Sequence, residues 1–192
     1  MPRNKEFDYN IKLEIARNLF WEKGYHATSM HDLVSTLGLN RSSIYDTYGN
    51  KEELFLKCLV DYSKLKENQY KKGSSVGKKA IDNLEFIIRD VVNQTLKDNK
   101  ACFIVNTIFE VASTNNQIKA LLNKNGVILQ TILEEKIHQA QLDGDIKSSK
   151  NPIIIARFIL STFSTFWSHY ILSQDEKEIQ EMVDFLIEQI KK

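Results

Sequence analysis

The stretch Thr28-Ser-Met-His-Asp-Leu-Val-Ser-Thr-Leu-Gly-Leu-Asn-Arg-Ser-Ser-Ile-Tyr-Asp-Thr-Tyr-Gly-Asn-Lys-Glu-Glu-Leu-Phe-Leu-Lys-Cys-Leu59 decides the fold. Ser29 followed by Asp32 is a capping box, in which the first side chain caps a helix and the second reaches back to it. Met30, Leu33, Val34 and Leu37 then supply the apolar stripe of a short helix. Gly38 follows where a tight turn needs positive φ at low cost, and Leu39 tucks beneath that turn. Asn40 caps a second short helix, Arg41 to Tyr48, anchored by Ile44 and Tyr48. Arg41, Ser42, Ser43, Tyr45, Asp46 and Thr47 project from it. Gly49 closes it, and Asn50 with Glu53 forms a second capping box that opens a helix carrying Leu54, Phe55, Cys58, Leu59 and Tyr62.

Upstream, Ile11, Ile15, Ala16, Leu19 and Phe20 mark one face of a first helix, with Lys12, Glu14, Arg17 and Asn18 opposite. Gly24 is placed to end it in a left-handed turn. A short capped helix, a glycine turn and a second short helix with a small polar face suit insertion into the DNA major groove.

Downstream, the run from Lys71 to Lys79 has Gly73, Ser74 and Ser75 between lysine pairs and reads as a solvated break between helices, after one running from Asn50 to Tyr70. Ile81, Leu84, Ile87, Ile88, Val91 and Leu96 mark a long amphipathic helix. A short apolar helix is expected over Cys102–Ser113 and a long one over Asn116–Leu142, ended by Gln141–Gly144. Asn151-Pro152 opens a helix rich in aromatics, with proline at its first position. Ser173 and Glu176 are expected to form a capping box for a last helix. No strand-like alternation or hairpin turn interrupts this series, so the fold is expected to be all-α.

Composition narrows the function classes. The chain has 192 residues, two prolines, seven glycines and a formal charge of +1. Residues 1–60 balance eight Lys/Arg against eight Asp/Glu, while residues 61–80 hold six lysines against two acids. DNA affinity must therefore come from where charges sit rather than from their sum. Cys58 and Cys102 lack metal or redox spacing and read as two buried thiols in a reducing cytosol. The N-terminal MPRNKEFDYNIK has no signal-peptide core, and Pro152–Leu160 is too short to span a bilayer. A cytoplasmic chain with no membrane association is expected. No nucleophile–base pair, phosphate-cradling loop or metal-spaced cluster is legible, and His26, His31, His138 and His169 are scattered. An enzyme is not expected, and neither is a cofactor or metal.

Residues Ile11 to Leu59 resemble the DNA-binding domain of the TetR/AcrR family of bacterial transcriptional regulators. The match is carried by Ala16, Leu19, Phe20, Gly24, Tyr25, Thr28, Asp32, Leu33, Gly38, Leu39, Ser43, Ile44, Tyr45, Tyr48, Lys51, Glu53 and Leu54. It covers about a quarter of the chain, and CFIVNTIFEVAS further on is also similar to some members. The resemblance implies a three-helix helix-turn-helix domain over residues 1–50 and a helical effector-binding and dimerisation domain over 51–192. It implies double-stranded DNA as partner, a palindromic operator bound by a homodimer, and repression relieved by a small-molecule effector.

On this reading Arg41 to Tyr48 is the recognition helix. Arg41 has the fork to read guanine O6 and N7, or it contacts phosphate. Ser42 and Ser43 are small enough for close approach, and Ser43 alternatively braces the helix. The resemblance places Tyr45 against a phosphate or a thymine methyl. Asp46 accepts from cytosine N4 or pairs with Arg41 or a lysine, and Thr47 donates to phosphate. Thr28 and Lys51 match positions that clamp the DNA backbone on either side. Candidate effector-pocket residues are Phe86, Phe103, Asn106, Thr107, Phe109, Glu110, His138, Phe166, Trp167 and Tyr170, and a packed core would use the same aromatics. Glu110 amid apolar residues needs a partner: a cationic ligand, Arg157 or a backbone group. The last two helices, with Ser161, Ser164 and Ser168 between aromatics, fit pairing with a second copy. The alternative is a helical adaptor whose head no longer binds DNA, which Asp46 and the neutral head favour.

Overall fold

A computed structural model of the chain describes residues 7–98 and 100–191, and every regular element among them is helical. The first six residues of the N-terminal stretch lie outside the described residues. The helices are α1 (Tyr9–Lys23), α2 (Met30–Leu37), α3 (Arg41–Tyr48), α4 (Lys51–Gly73), α5 (Ala80–Asp98), α6 (Phe103–Thr107), α7 (Asn116–Leu142), α8 (Pro152–Ser173) and α9 (Glu176–Ile190). One turn of π-helix, Ile108–Ala112, continues α6. The cap chemistry shows why the short helices start where they do. Ser29 and Asp32 form the expected reciprocal box, Asn40 Oδ1 accepts the Ser43 N–H at 2.7 Å, and Asn50 and Glu53 cap each other's amides.

Contacts divide the chain into two compact units. Among the described residues, the first unit combines those up to Lys64 with Phe103–Leu122, and the second combines those between Leu65 and Cys102 with those from Asn123 onward. In the first unit α1, α2 and α3 bury Leu13, Ala16, Phe20, Leu33, Leu37, Ile44 and Tyr48. The N-terminal part of α4 adds Leu54, Phe55, Cys58, Leu59 and Tyr62, and Phe103 closes the cluster. Ring centroids lie 5.0 Å apart for Phe20 and Phe55, 5.6 Å for Phe55 and Phe103, and 5.7 Å for Tyr62 and Phe103, each pair edge to face.

Several local expectations are corrected. The buried face of α1 runs through Leu13, Ala16, Arg17 and Phe20, and Ile11 is exposed. Arg17 is buried because Asp61 and Glu14 both accept from its guanidinium, so its charge is paired as it leaves water. Gly24 has φ +86 with extended ψ rather than the left-handed helical value. Cys58 is buried, whereas Cys102 is half-exposed. The last helix is capped by Asp175, whose carboxylate accepts the Lys177 and Glu178 amides, and Ser173 Oγ accepts the Asp175 N–H. Asp175 takes that place because Gln174 reverses the chain with φ +53.

The second unit packs α5 against α8 and α9, with the later part of α7 completing the core. Leu84, Ile87, Leu133, Ile137, Ala156, Ile159, Ile179 and Val183 are fully or almost fully buried. Gly144, with φ +80, lets the chain fold back so that the Asp145 and Ile146 amides both donate to the Ala140 carbonyl. No described helix is long and apolar enough to cross a membrane.

Truncating Ile159 removes a fully buried side chain from this core. Ile159→Ala is expected to cost about 2–5 kcal/mol, read as a lower urea midpoint with an unchanged slope.

Candidate nucleic-acid interface

The polar face of α3 is fixed from both ends and from beneath. Gly38 turns the chain at φ +62, ψ 30, and Lys12 Nζ donates to the Leu37 carbonyl at 2.6 Å, placing a cation at the C-terminal end of α2. Ile44 and Tyr48 hold α3 from beneath, and the Tyr48 hydroxyl donates to the Tyr9 carbonyl at 2.8 Å. Burial pushes the Tyr48 phenol up to about 12, with Tyr9 adding to it, so this hydroxyl remains a donor throughout the physiological range.

Above that anchor, Arg41, Ser42, Tyr45 and Asp46 are exposed, and Ser43 and Thr47 are half-exposed. The Arg41 guanidinium lies 5.7 Å from the Tyr45 ring centroid. Ser42 Oγ donates to Asp46 Oδ2 at 3.3 Å, so this acid is engaged on its own helix. The Ser43 amide is taken up by the Asn40 cap, a bond in which its hydroxyl has no part. Six of the eight DNA-contact candidates therefore share one short helix.

The two flanking candidates differ. Lys51 is half-buried at the start of α4, with its ammonium 4.5 Å above the Tyr25 ring centroid. Burial pulls its pKa below the ordinary lysine value, opposed by the charges of Glu110 and Asp32. Thr28 is fully buried, and its hydroxyl donates to the Gly24 carbonyl at 2.6 Å. Its side chain braces the α1–α2 turn rather than standing on the exposed face.

The ten pocket candidates separate. Phe103, Asn106, Thr107, Phe109 and Glu110 line one cleft of about 400 Å³ in the first unit, together with Phe20, Trp21, Gly24 and Phe55. Thr107 is buried with its hydroxyl bonded to the Phe103 carbonyl, whereas Phe109 is 79% exposed. In the second unit Phe166 and Trp167 border a void of only about 10 Å³, and Tyr170 is buried 5.7 Å from the Trp167 ring. Phe86 and His138 are exposed on α5 and α7.

Glu110 finds a backbone partner. The Tyr25 N–H donates to its Oε2 at 3.0 Å and the His26 N–H to its Oε1 at 2.8 Å. Arg157, the alternative partner, instead donates from Nε to Gln130 Oε1 at 3.1 Å. Nothing local in the sequence links residue 110 to residues 25 and 26. Only the glycine at 24 hints that the turn admits a close neighbour.

Comparison with known proteins gives this geometry its setting. Residues 13–58 match the family model described as bacterial regulatory proteins, tetR family. The chain is 29% identical over 188 residues to the uncharacterized HTH-type transcriptional regulator YezE of Bacillus subtilis, covering 96% of each chain. It is 28% identical over 160 residues to the HTH-type transcriptional repressor ComR of Escherichia coli, covering 82% of this chain and 76% of that one. Its fold is similar, with a TM-score of 0.82 and 18% identity, to a TetR family transcriptional regulator, CifR, solved as a cysteine mutant with a 26-base-pair double-strand operator DNA; the match covers 97% of this chain and 98% of that one.

The start of α2 offers a pH test. The Lys23 ammonium, 2.7 Å from Asp32, and the Ser29 hydroxyl and amide hold the Asp32 carboxyl well below the ordinary aspartate range. A lowered folded pKa contributes stability above the unfolded value, and that contribution is lost as pH falls through the folded one. The Asp32 carboxyl resonance is expected to titrate well below an ordinary aspartate. Ser29→Ala is expected to raise that midpoint and cost about 0.5–2 kcal/mol in a denaturant melt.

Proposed function

We propose that this chain is a DNA-binding transcriptional regulator of the TetR family, and that it represses transcription as a homodimer on a palindromic operator until a small-molecule effector releases it. The observation that carries the proposal is the α3 face: Arg41, Ser42, Tyr45 and Asp46 exposed on a helix that Ile44 and Tyr48 lock from beneath. A regulator that meets a bacterial chromosome works in the cytoplasm, and no catalytic turnover is part of this role.

Within the head, residues 1–50, Arg41 reads a guanine edge and Tyr45 contacts a phosphate or a thymine methyl. Ser42, Ser43 and Thr47 contact the sugar-phosphate backbone, and Asp46 sets the orientation of Ser42. Lys51 clamps a phosphate from the side. Thr28 acts on the register by bracing its turn.

Residues 51–192 carry effector binding and dimerisation. On α8 the exposed residues Ile154, Phe158, Ser161, Thr165, Ser168 and Leu172 recur at alternating spacings of four and three, one continuous stripe. Ile154, Phe158 and Leu172 are 57%, 56% and 85% exposed, an apolar surface that fits an isologous helix pair with the small hydroxyl residues at its closest approach. For the effector, the cleft lined by Phe103, Asn106, Thr107, Phe109 and Glu110 has the volume of a small-molecule site, whereas the region around Phe166, Trp167 and Tyr170 is filled.

Two measurements test the proposal. Duplex DNA from upstream of the chain's own coding region is expected to be retained in a gel, with affinity falling as salt rises. Arg41→Ala and Tyr45→Ala are each expected to weaken specific retention, Arg41→Ala by about 1–3 kcal/mol if it reads a base. No retention above non-specific background, from that region or from a genome-wide selection of bound fragments, would favour the adaptor alternative. Sedimentation is expected to give a dimer for the wild type and a monomer for Phe158→Asp, and a monomeric wild type would remove the palindromic operator.

A further inference from the structure

We propose that Glu110 is a positioning residue for DNA binding: from the π turn it fixes the α1–α2 turn and, through Tyr25, holds Lys51 at the DNA-facing edge. The proposal rests on the operator-binding reading above and adds a residue outside the helix-turn-helix to it.

The hold is built from both sides. After Gly24 the next two residues turn their amides toward one point, and both carboxylate oxygens of Glu110 meet them, at 3.0 Å from Tyr25 and 2.8 Å from His26. Successive amides around one anion form a cradle, and bonds to a charged acceptor are stronger than neutral ones. A Cβ at position 24 would stand 3.0 Å from Glu110 Oε1 and 3.2 Å from Oε2, and the backbone there has φ +86. Glycine is thus required twice, for the turn and for the approach of the carboxylate.

The other half is the π turn. Winding Ile108–Ala112 with one more residue per turn departs from the α6 register, a feature often found at functional sites. Val111 is buried within the unit while Ile108 and Phe109 stay exposed, and Glu110 is directed onto the α1–α2 turn. Asn115 adds a second tie: its Nδ2 donates to Glu52 Oε1 at 2.6 Å, beside Lys51.

Tyr25 relays the hold. Its amide is bonded to Glu110, and its ring lies 4.6 Å from Phe55 and beneath the Lys51 ammonium. A cation over an aromatic face has a preferred place, so fixing the ring fixes the cation. Leu33, Leu37, Ile44 and Tyr48 anchor α2 and α3 by their own burial, whereas the Glu110 carboxylate is bonded to the amides of the α1–α2 turn. Its removal is therefore expected to loosen one turn and leave the head folded.

The test is Glu110→Gln, which keeps the shape but offers one acceptor and an opposing N–H₂. Amide exchange at Tyr25 and His26 is expected to accelerate about ten- to a hundredfold, with Leu37 and Tyr48 unchanged. On an operator fragment selected with the wild-type protein, affinity is expected to fall. The slope of log affinity against log salt is expected to drop by about 0.9, the value for one phosphate no longer neutralised. Lys51→Ala is expected to reduce the slope equally, and the double variant to bind no more weakly than Lys51→Ala alone. Glu110→Asp, which keeps the charge on a shorter arm, is expected to lie between Gln and wild type. Unchanged exchange at Tyr25 and His26, or additive effects in the double variant, would overturn the proposal. Exchange needs no DNA, so failure to select an operator fragment counts against the operator reading, while exchange still decides whether Glu110 holds the turn.

Discussion

The head depends on a core that its own three helices do not complete. α2 and α3 are only eight residues each, and the aromatic cluster that α1 begins with Phe20 is closed by Phe55 of α4 and by Phe103, which lies far along the chain and is almost fully buried. A domain of about fifty residues buries too small a fraction of its surface to be robust alone. The apolar faces of α4 and of Phe103–Leu122 supply the missing area. That is why the compact unit extends to Lys64 and then draws in a second, distant segment. The contacts thus gather a unit from two stretches of chain that are far apart in sequence.

With that core in place, α3 can be ordered despite its length. An eight-residue helix such as α3 has too few internal hydrogen bonds to offset its nucleation. It is held instead by the Asn40 cap, the glycine turn before it and two buried anchors. Because the order comes from beneath and from the ends, the outer face is left to small and polar residues with no packing duty. Arg41 over Tyr45 and Ser42 against Asp46 then organise that face along the helix itself. The result is a rigid base carrying a surface whose residues can change without unfolding it.

The parts legible in the sequence are those whose signal is local. Capping boxes at Ser29 and Asn50, the turn at Gly38, the bounds of α7 and the proline opening of α8 all involve residues within a few positions of each other. The features that escape the pattern share the opposite property. Arg17 reads as solvated because its partner Asp61 comes from another helix, and Ile11 reads as buried because periodicity alone does not say which stripe meets the core. Ser173 reads as a cap because the reversal at Gln174, a non-glycine residue at positive φ, has no strong sequence mark. The apolar neighbours of Glu110 show that its carboxylate needs a partner, but two amides some eighty-five residues away leave no trace in the pattern.

That long-range pair also sets the energy scale on which the two ends of the first unit communicate. Hydrogen bonds to a charged group contribute about 1.5–3 kcal/mol each when well formed, and partial exposure of Glu110 places its pair toward the lower end. Allosteric couplings are typically about 1–3 kcal/mol, which changes affinity about 5–150-fold. A conformational state that kept the head folded but broke these two bonds would therefore differ from the bonded state by an amount suited to regulation. A ligand can draw on that difference only by preferring one state over the other, whatever its absolute affinity. Glu110 lines the cleft that Phe103 and Phe109 border, and the same side chain holds the α1–α2 turn.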